Sequence, residues 1–255
     1  MSKFVERLQS FSKSSGGSIG FQRAALEAKT PTMLLIAALS GEQTGEAETA
    51  AGIQADAALI VGQVPASDSL KQMVAAAGDV PLGILLKGAN EERASEIAGS
   101  GCDFVVFDTK TAAAVLQKQE IGKLLMLEPS LDQGLIRAIN NLEIDGVLIS
   151  AGEGDHPVSV EQLLIARRFV ELLEKPVVLM LSSSVTQATL AGLAQAGVEG
   201  IVAPPVQSAG ALTELKKAVD SLPRPARGRR ATAGVRLPHY GGVPATDDDA
   251  EEDED

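Results

Sequence analysis

The 255-residue chain sets 34 Asp and Glu against 22 Lys and Arg, a net charge of −12, and is 45% hydrophobic but only 3% aromatic. That hydrophobic share can fill a substantial core, while the acidic balance and the lack of Trp disfavour a nucleic-acid binder or an aromatic sugar cleft. Cys102 is the only cysteine, which excludes an intrachain disulfide and any multi-cysteine zinc or iron–sulfur site.

The first residues, MSKFVERLQSFSKS, space Phe4, Val5, Leu8 and Phe11 at helical intervals before SSGGS interrupts them. This predicts a short amphipathic helix with its joint over residues 1–17, packed on the domain that follows. So short a helix has too little apolar area and cationic charge for a membrane surface.

Eight short apolar runs follow: TMLLIAAL, AALIVG, PLGILLK, DFVVFD, KLLMLEP, GVLISAG, PVVLMLSS and GIVAPP. Each is apolar on both parities, as parallel strands covered on both faces must be. Between them lie amphipathic stretches: SLKQMVAAAG, EERASEIAGSG, SLDQGLIRAINNL, SVEQLLIARRFVELLEK, TQATLAGLAQAG and ALTELKKAVDSL. Capping-box spacings mark Ser69 with Gln72, Ser159 with Gln162 and Ser184 with Gln187. An acid leads into each even strand (Asp56, Asp103, Asp145, Glu199) at spacings of 47, 42 and 54 residues, and Pro31, Pro81 and Pro176 lead into three odd ones. These intervals match a two-unit quarter of a barrel. With no Gly-x-Gly-x-x-Gly turn after strand 1, the reading is an α/β fold, a (β/α)8 (TIM) barrel over residues 18–222.

Beyond Leu222 the apolar periodicity stops. From Arg224 to Asp255 there are five arginines and eight acids in separate blocks, a net of −3, which predicts a disordered tail over residues 223–255. The tail is solvated or contacts a protein partner. No run approaches the ~18 apolar residues of a membrane span and no secretory leader is recognisable, so a cytoplasmic protein is expected.

Chemistry in such a barrel belongs where strands end and βα loops begin. The candidates there are Lys87, Asp108 and Glu128, ending strands 3, 4 and 5, which read either as a general acid/base set or as a rim salt-bridge cluster. Ser150 and His156 follow strand 6. Ser182, Ser183 and Ser184 follow strand 7, where they cap a helix or bind an anion at its N-terminus. Strand 8 offers Ala-Pro-Pro rather than glycines, which weakens the usual phosphate cup. No cofactor is called for; Mg²⁺ is the candidate ion, through Glu42, Asp108 and Glu128, without a ligand-spacing motif behind it.

The segments AGSGCDFVVFD and LAQAGVEGIVAPP, where a helix ends in Ala-Gly-x-acid and leads into an apolar strand, resemble the late units of ribulose-phosphate-binding, aldolase-type barrels. Within that group the chain is most similar to indole-glycerol-phosphate-synthase-like lyases. Their essential strand-3 lysine and strand-5 glutamate correspond to Lys87 and Glu128. Their strand-1 Glu-x-Lys-x-x-Ser-Pro segment is absent, their strand-6 asparagine is Ser150, and their glycine phosphate loops are LSSSVT and APPVQ here. The resemblance implies a lyase or isomerase acting on a small anionic metabolite, phosphorylated or carboxylated. The alternative is a non-catalytic binding or assembly module, and a homo-oligomer is open in either case.

Overall fold

The computed structural model describes residues 2–15, 32–88, 92, 96–97, 99–117, 121–150, 157–183, 185–204 and 209–223. The tail predicted for 223–255 lies outside the described residues from 224 onward, as do His156 and Ser184.

Eight parallel strands close into a barrel in sequence order, with β8 hydrogen-bonded to β1: β1 Leu34–Leu39, β2 Ala57–Ile60, β3 Leu82–Leu86, β4 Phe104–Phe107, β5 Gly122–Leu127, β6 Gly146–Ile149, β7 Val177–Met180 and β8 Gly200–Val202. Alternate side chains separate into two layers because a strand has period two. Leu34, Ile36 and Ala38 of β1 join Phe104, Val106, Leu124, Leu148, Val178 and Val202 inside the barrel. Their neighbours, such as Leu35, Val105, Leu125, Val147 and Ile201, pack outward under the helices. The double-parity apolar runs of the sequence are these two cores written into one strand.

Among the described residues seven α-helices accompany the strands: α1 Lys3–Ser15, α2 Thr44–Gly52, α3 Ser67–Ala77, α4 Gln133–Ala138, α5 Val160–Leu172, α6 Gln187–Ala196 and α7 Ala209–Asp220. The box at Ser159 and Gln162 forms as expected: Ser159 Oγ accepts the Gln162 N–H at 3.3 Å, and Gln162 Oε1 accepts the Ser159 N–H at 3.2 Å. The other spacings mislead. α3 starts at Ser67, so Ser69 lies inside it and Ala66 occupies the cap without a side-chain bond. α6 is capped by Thr186, whose Oγ1 accepts the Thr189 N–H at 3.2 Å. Two other departures concern helices. α2, TGEAETAAG, is rich in Ala and Gly and too weakly amphipathic to announce itself. After β4 the described connection is a 3₁₀ turn, Ala113–Gln117, rather than an α-helix.

Helix α1 plugs the N-terminal end of the barrel. Phe4 and Leu8 are fully buried in the inner core, and the Phe4 ring lies 4.5 Å, centroid to centroid, from that of Phe104. Room for the plug comes from strand glycines. A Cβ on Gly83 would stand 2.3 Å from the Phe104 ring, one on Gly122 2.6 Å from Val5, and one on Gly146 3.2 Å from Leu8.

The acids before the even strands are bottom-end staples. Asp56 Oδ2 accepts the Leu35 N–H at 2.9 Å, Asp145 Oδ2 the Lys123 N–H at 2.8 Å, and Glu199 Oε2 the Val177 N–H at 3.1 Å. Each ties the start of an even strand to the odd strand before it. Asp103 is diverted to α1, where its oxygens accept Ser2 Oγ–H at 2.7 Å, the Lys3 N–H at 2.7 Å and the Phe4 N–H at 2.9 Å. It is an N-cap supplied from across the fold, satisfying donors that a helix start leaves unpaired.

Candidate functional site

The strand alternation continues at the C-terminal end. The uppermost inner side chains, including Ala38, Val61, Leu85, Val106, Met126, Leu148, Met180 and Val202, make an apolar floor. One step further along each strand come Ser40, Gln63, Lys87, Asp108, Glu128, Ser150, Ser182 and Pro204. This inner-register ring is polar at seven of eight positions and contains one cation.

The loops after β1 and β2 are locked together beneath it. Glu46 of α2 holds the first, its carboxylate accepting the Ser40 N–H at 2.7 Å and the Ser40 Oγ–H at 2.6 Å. Gly62 permits the second to press against it, since a Cβ there would fall 2.1 Å from the Ser40 carbonyl oxygen. Glu46 escaped the sequence reading because its partner is the end of a strand rather than a helix cap.

Lys87 and Glu128 are exposed at the rim, and Asp108 between them is half-buried. No hydrogen bond or ion pair joins the three. Asp108 is occupied instead by its own surroundings: Oδ1 accepts the Gly88 N–H at 3.0 Å, the Lys110 N–H at 3.2 Å and the Thr111 Oγ1–H at 2.8 Å. Burial pushes its carboxyl up, but these donors outweigh burial and hold it below the usual carboxylate range. Asp108 therefore stays ionised and clamps the peptide that follows Lys87. Among the described residues no group of three His, Cys, Asp or Glu could hold a metal ion, so Glu42, Asp108 and Glu128 make no such cluster.

Ser150 and Ser182, both half-buried, meet at a cavity of about 410 Å³ beside the rim, while Ser183 lies one residue beyond it. The cavity lies between the ends of β6 and β7 and the N-terminus of α5, walled by Ile149, Leu179, Leu181, Val158, Ile165 and Pro129 among others. Arg168 of α5 braces it by donating from Nη2 to the carbonyl oxygens of Pro129 and Leu131. The α5 residues of this wall were missed in the sequence because their apolar spacing reads as ordinary helix packing. Cys102 stands at the opposite end of the barrel, where burial pushes its thiol up and away from reactivity.

No family model matches the chain, and no curated protein matches it. Solved structures do. A Mycobacterium tuberculosis tryptophan synthase structure superposes with a TM-score of 0.63 at 14% identity, covering 86% of this chain and 98% of that one. A tryptophan synthase alpha subunit from Pyrococcus furiosus gives 0.56 at 13%, covering 75% and 98%. A protein from Aquifex aeolicus gives 0.60 at 12%, covering 86% and 99%. At these identities the likeness shows the fold alone: the chain has the closed eight-stranded parallel barrel expected from the sequence. Among the described residues no helix is long and apolar enough to cross a membrane.

Proposed function

We propose that the chain binds a small anionic metabolite, phosphorylated or carboxylated, at the C-terminal mouth and acts on it as a lyase or isomerase. The observation that carries this reading is the polar ring above an apolar floor, with Lys87 as its single cation and Glu128 an exposed carboxylate two strands away. An acidic protein must concentrate positive charge locally to hold an anion, and Lys87 does so at the end where barrels of this fold carry their chemistry. In this reading Lys87 anchors the anion and Glu128 moves the proton. Asp108, tied to the Gly88 N–H, positions the lysine loop rather than titrating. Ser150, Ser182 and Ser183 supply polar contacts, with Ser184 and His156 completing the same two loops in sequence.

A second reading, a binding module without catalysis, is favoured by one observation: Lys87, Asp108 and Glu128 are not linked to one another. The test is a thermal-shift screen of phosphorylated and carboxylated metabolites, with and without Mg²⁺, on the wild-type chain and on Lys87→Met. A ligand that binds only the folded state raises its melting temperature. The proposal expects at least one anion to do so and Lys87→Met to abolish the shift. A hit whose shift survives in Lys87→Met overturns the assignment of the anion to that lysine. Chemical conversion of the hit, lost in Glu128→Gln while binding remains, separates the enzyme from the module.

A further inference from the structure

Among the described residues the exposed large hydrophobic side chains are Leu135, Leu142, Val160 and Leu164, and all of them lie on α4, on α5 or just beyond the 3₁₀ turn that ends α4. Val160, Leu164 and Leu135 are 73%, 66% and 57% exposed, while the other described helices expose none. Single apolar residues scattered over a surface need no explanation; a cluster on one side of a barrel marks a contact face. The two helices are also fastened to each other in advance. Arg168 of α5 donates from Nη2 to the carbonyl oxygens of Pro129 and Leu131 at the head of α4, and at its foot Asn140 Nδ2 donates to the Leu172 carbonyl at 3.0 Å while its Oδ1 accepts the Glu174 N–H at 2.9 Å. A face held at both ends loses little freedom when it is covered.

We infer that this face pairs with the same face of a second copy of the chain, α5 against α5 and antiparallel, about a two-fold axis at Leu164. The charge pattern of α5 points to that occupant. Helical spacing sets Val160, Leu164, Arg167 and Glu171 in a row along its outer side, with Glu161 and Arg168 on the flank toward α4. An antiparallel two-fold at Leu164 brings residues before it opposite residues after it on the partner. Leu164 then packs on the partner's Leu164, Val160 lies along the aliphatic stem of the partner's Arg167, and Glu161 faces the partner's Arg168. Among the described residues neither Glu161 nor Arg168 has an ion-pair partner within its own chain, and Arg168 Nε is buried without a hydrogen bond. Pairing gives each the opposite charge it lacks, twice over by symmetry. It also sets the positive end of each helix dipole beside the negative end of the other. Dimerisation is independent of what the barrel mouth binds.

The test is sedimentation velocity of the full chain from micromolar to sub-millimolar concentration, for the wild type, Leu164→Asp and Glu161→Lys. The wild type should sediment as a concentration-dependent dimer. Leu164→Asp should weaken it about a hundredfold, because the two-fold counts each substitution twice, and Glu161→Lys, which sets like charges face to face, about tenfold. Leu164→Cys supplies a second readout: Cys102 is buried, so the new thiol is the accessible one among the described residues, and mild oxidation should link two chains through it. Lys71→Cys, on the exposed side of α3, is the control that should not cross-link. A monomer at every concentration overturns the proposal, whether the face is then covered by residues 224–255 of the same chain or by another protein. So does a trimer or larger assembly, or a dimer that Leu164→Asp leaves intact. A dimer weakened by Leu164→Asp but not by Glu161→Lys overturns the antiparallel two-fold, as does cross-linking of Leu164→Cys no faster than that of Lys71→Cys.

Discussion

The two ends of the barrel are made by the same eight strands and differ in how their polar groups are used. At the N-terminal end Asp56, Asp103, Asp145 and Glu199 are each committed to a backbone N–H, and glycine notches make room for Val5, Leu8 and the Phe104 ring. At the C-terminal end the inner-register positions carry Lys87 and Glu128 exposed and Ser150 and Ser182 half-buried at a cavity. One end gains stability by pairing its acids with fixed backbone donors. The other keeps charge facing water, which costs little stability and leaves it available to a ligand.

This division predicts that stability and binding respond to different substitutions. The largest loss of stability should come from Phe4→Ala, about 3–5 kcal/mol for removing a fully buried ring from a packed plug, measured by denaturant unfolding. Gly83→Ala should cost about 1–3 kcal/mol in the same assay, because its Cβ would lie 2.3 Å from the Phe104 ring; Gly83→Ala combined with Phe104→Leu should recover part of it. Asp103→Ala should cost about 1–2 kcal/mol by uncapping α1, with faster hydrogen exchange at the Lys3 and Phe4 amides as its signature.

Alkaline titration probes the same end. Lys216 loses solvation on burial but is paired with Asp56 at 3.3 Å and Asp220 at 3.0 Å, and the pairing wins, raising its pKa. A group with a raised folded-state value contributes its full stability below the ordinary lysine range, near pH 10.4, and loses it as pH climbs through the raised value. Lys216→Met should therefore flatten the fall in melting temperature above that pH. The smallest stability effect should be that of Lys87→Met at the other end, under about 0.5 kcal/mol, with loss of anion binding. If Lys87→Met destabilises the chain as much as Asp103→Ala does, the contrast between the ends fails.

The barrel was legible because two apolar cores on opposite faces leave strands with no polar parity, and because the acid before each even strand recurs at near-regular intervals. The ring of rim residues was legible for the same reason: it continues that alternation by one step. The use of each ring residue was not. Asp108 looks identical in sequence to Glu128, and only the fold shows that Gly88, twenty residues away, occupies one of them. The cavity beside the rim was hidden because Ile165 and Val158 are spaced as any helix-packing residues are. The diversion of Asp103 to α1 was invisible because its partners are backbone amides about a hundred residues upstream.

That diversion also bears on the order of assembly. The socket for α1 is built from Gly83, Asp103, Gly122 and Gly146, so nothing exists for the helix to enter until β3 to β6 have paired. During vectorial synthesis α1 leaves the ribosome before the strands that hold it, and is thus among the last elements to reach its native place. Closing so long a loop carries an entropic cost that only a completed barrel floor can offset. Insertion of Phe4 and Leu8 then reports that strands from four successive units have found their register, making α1 a late seal on a finished sheet.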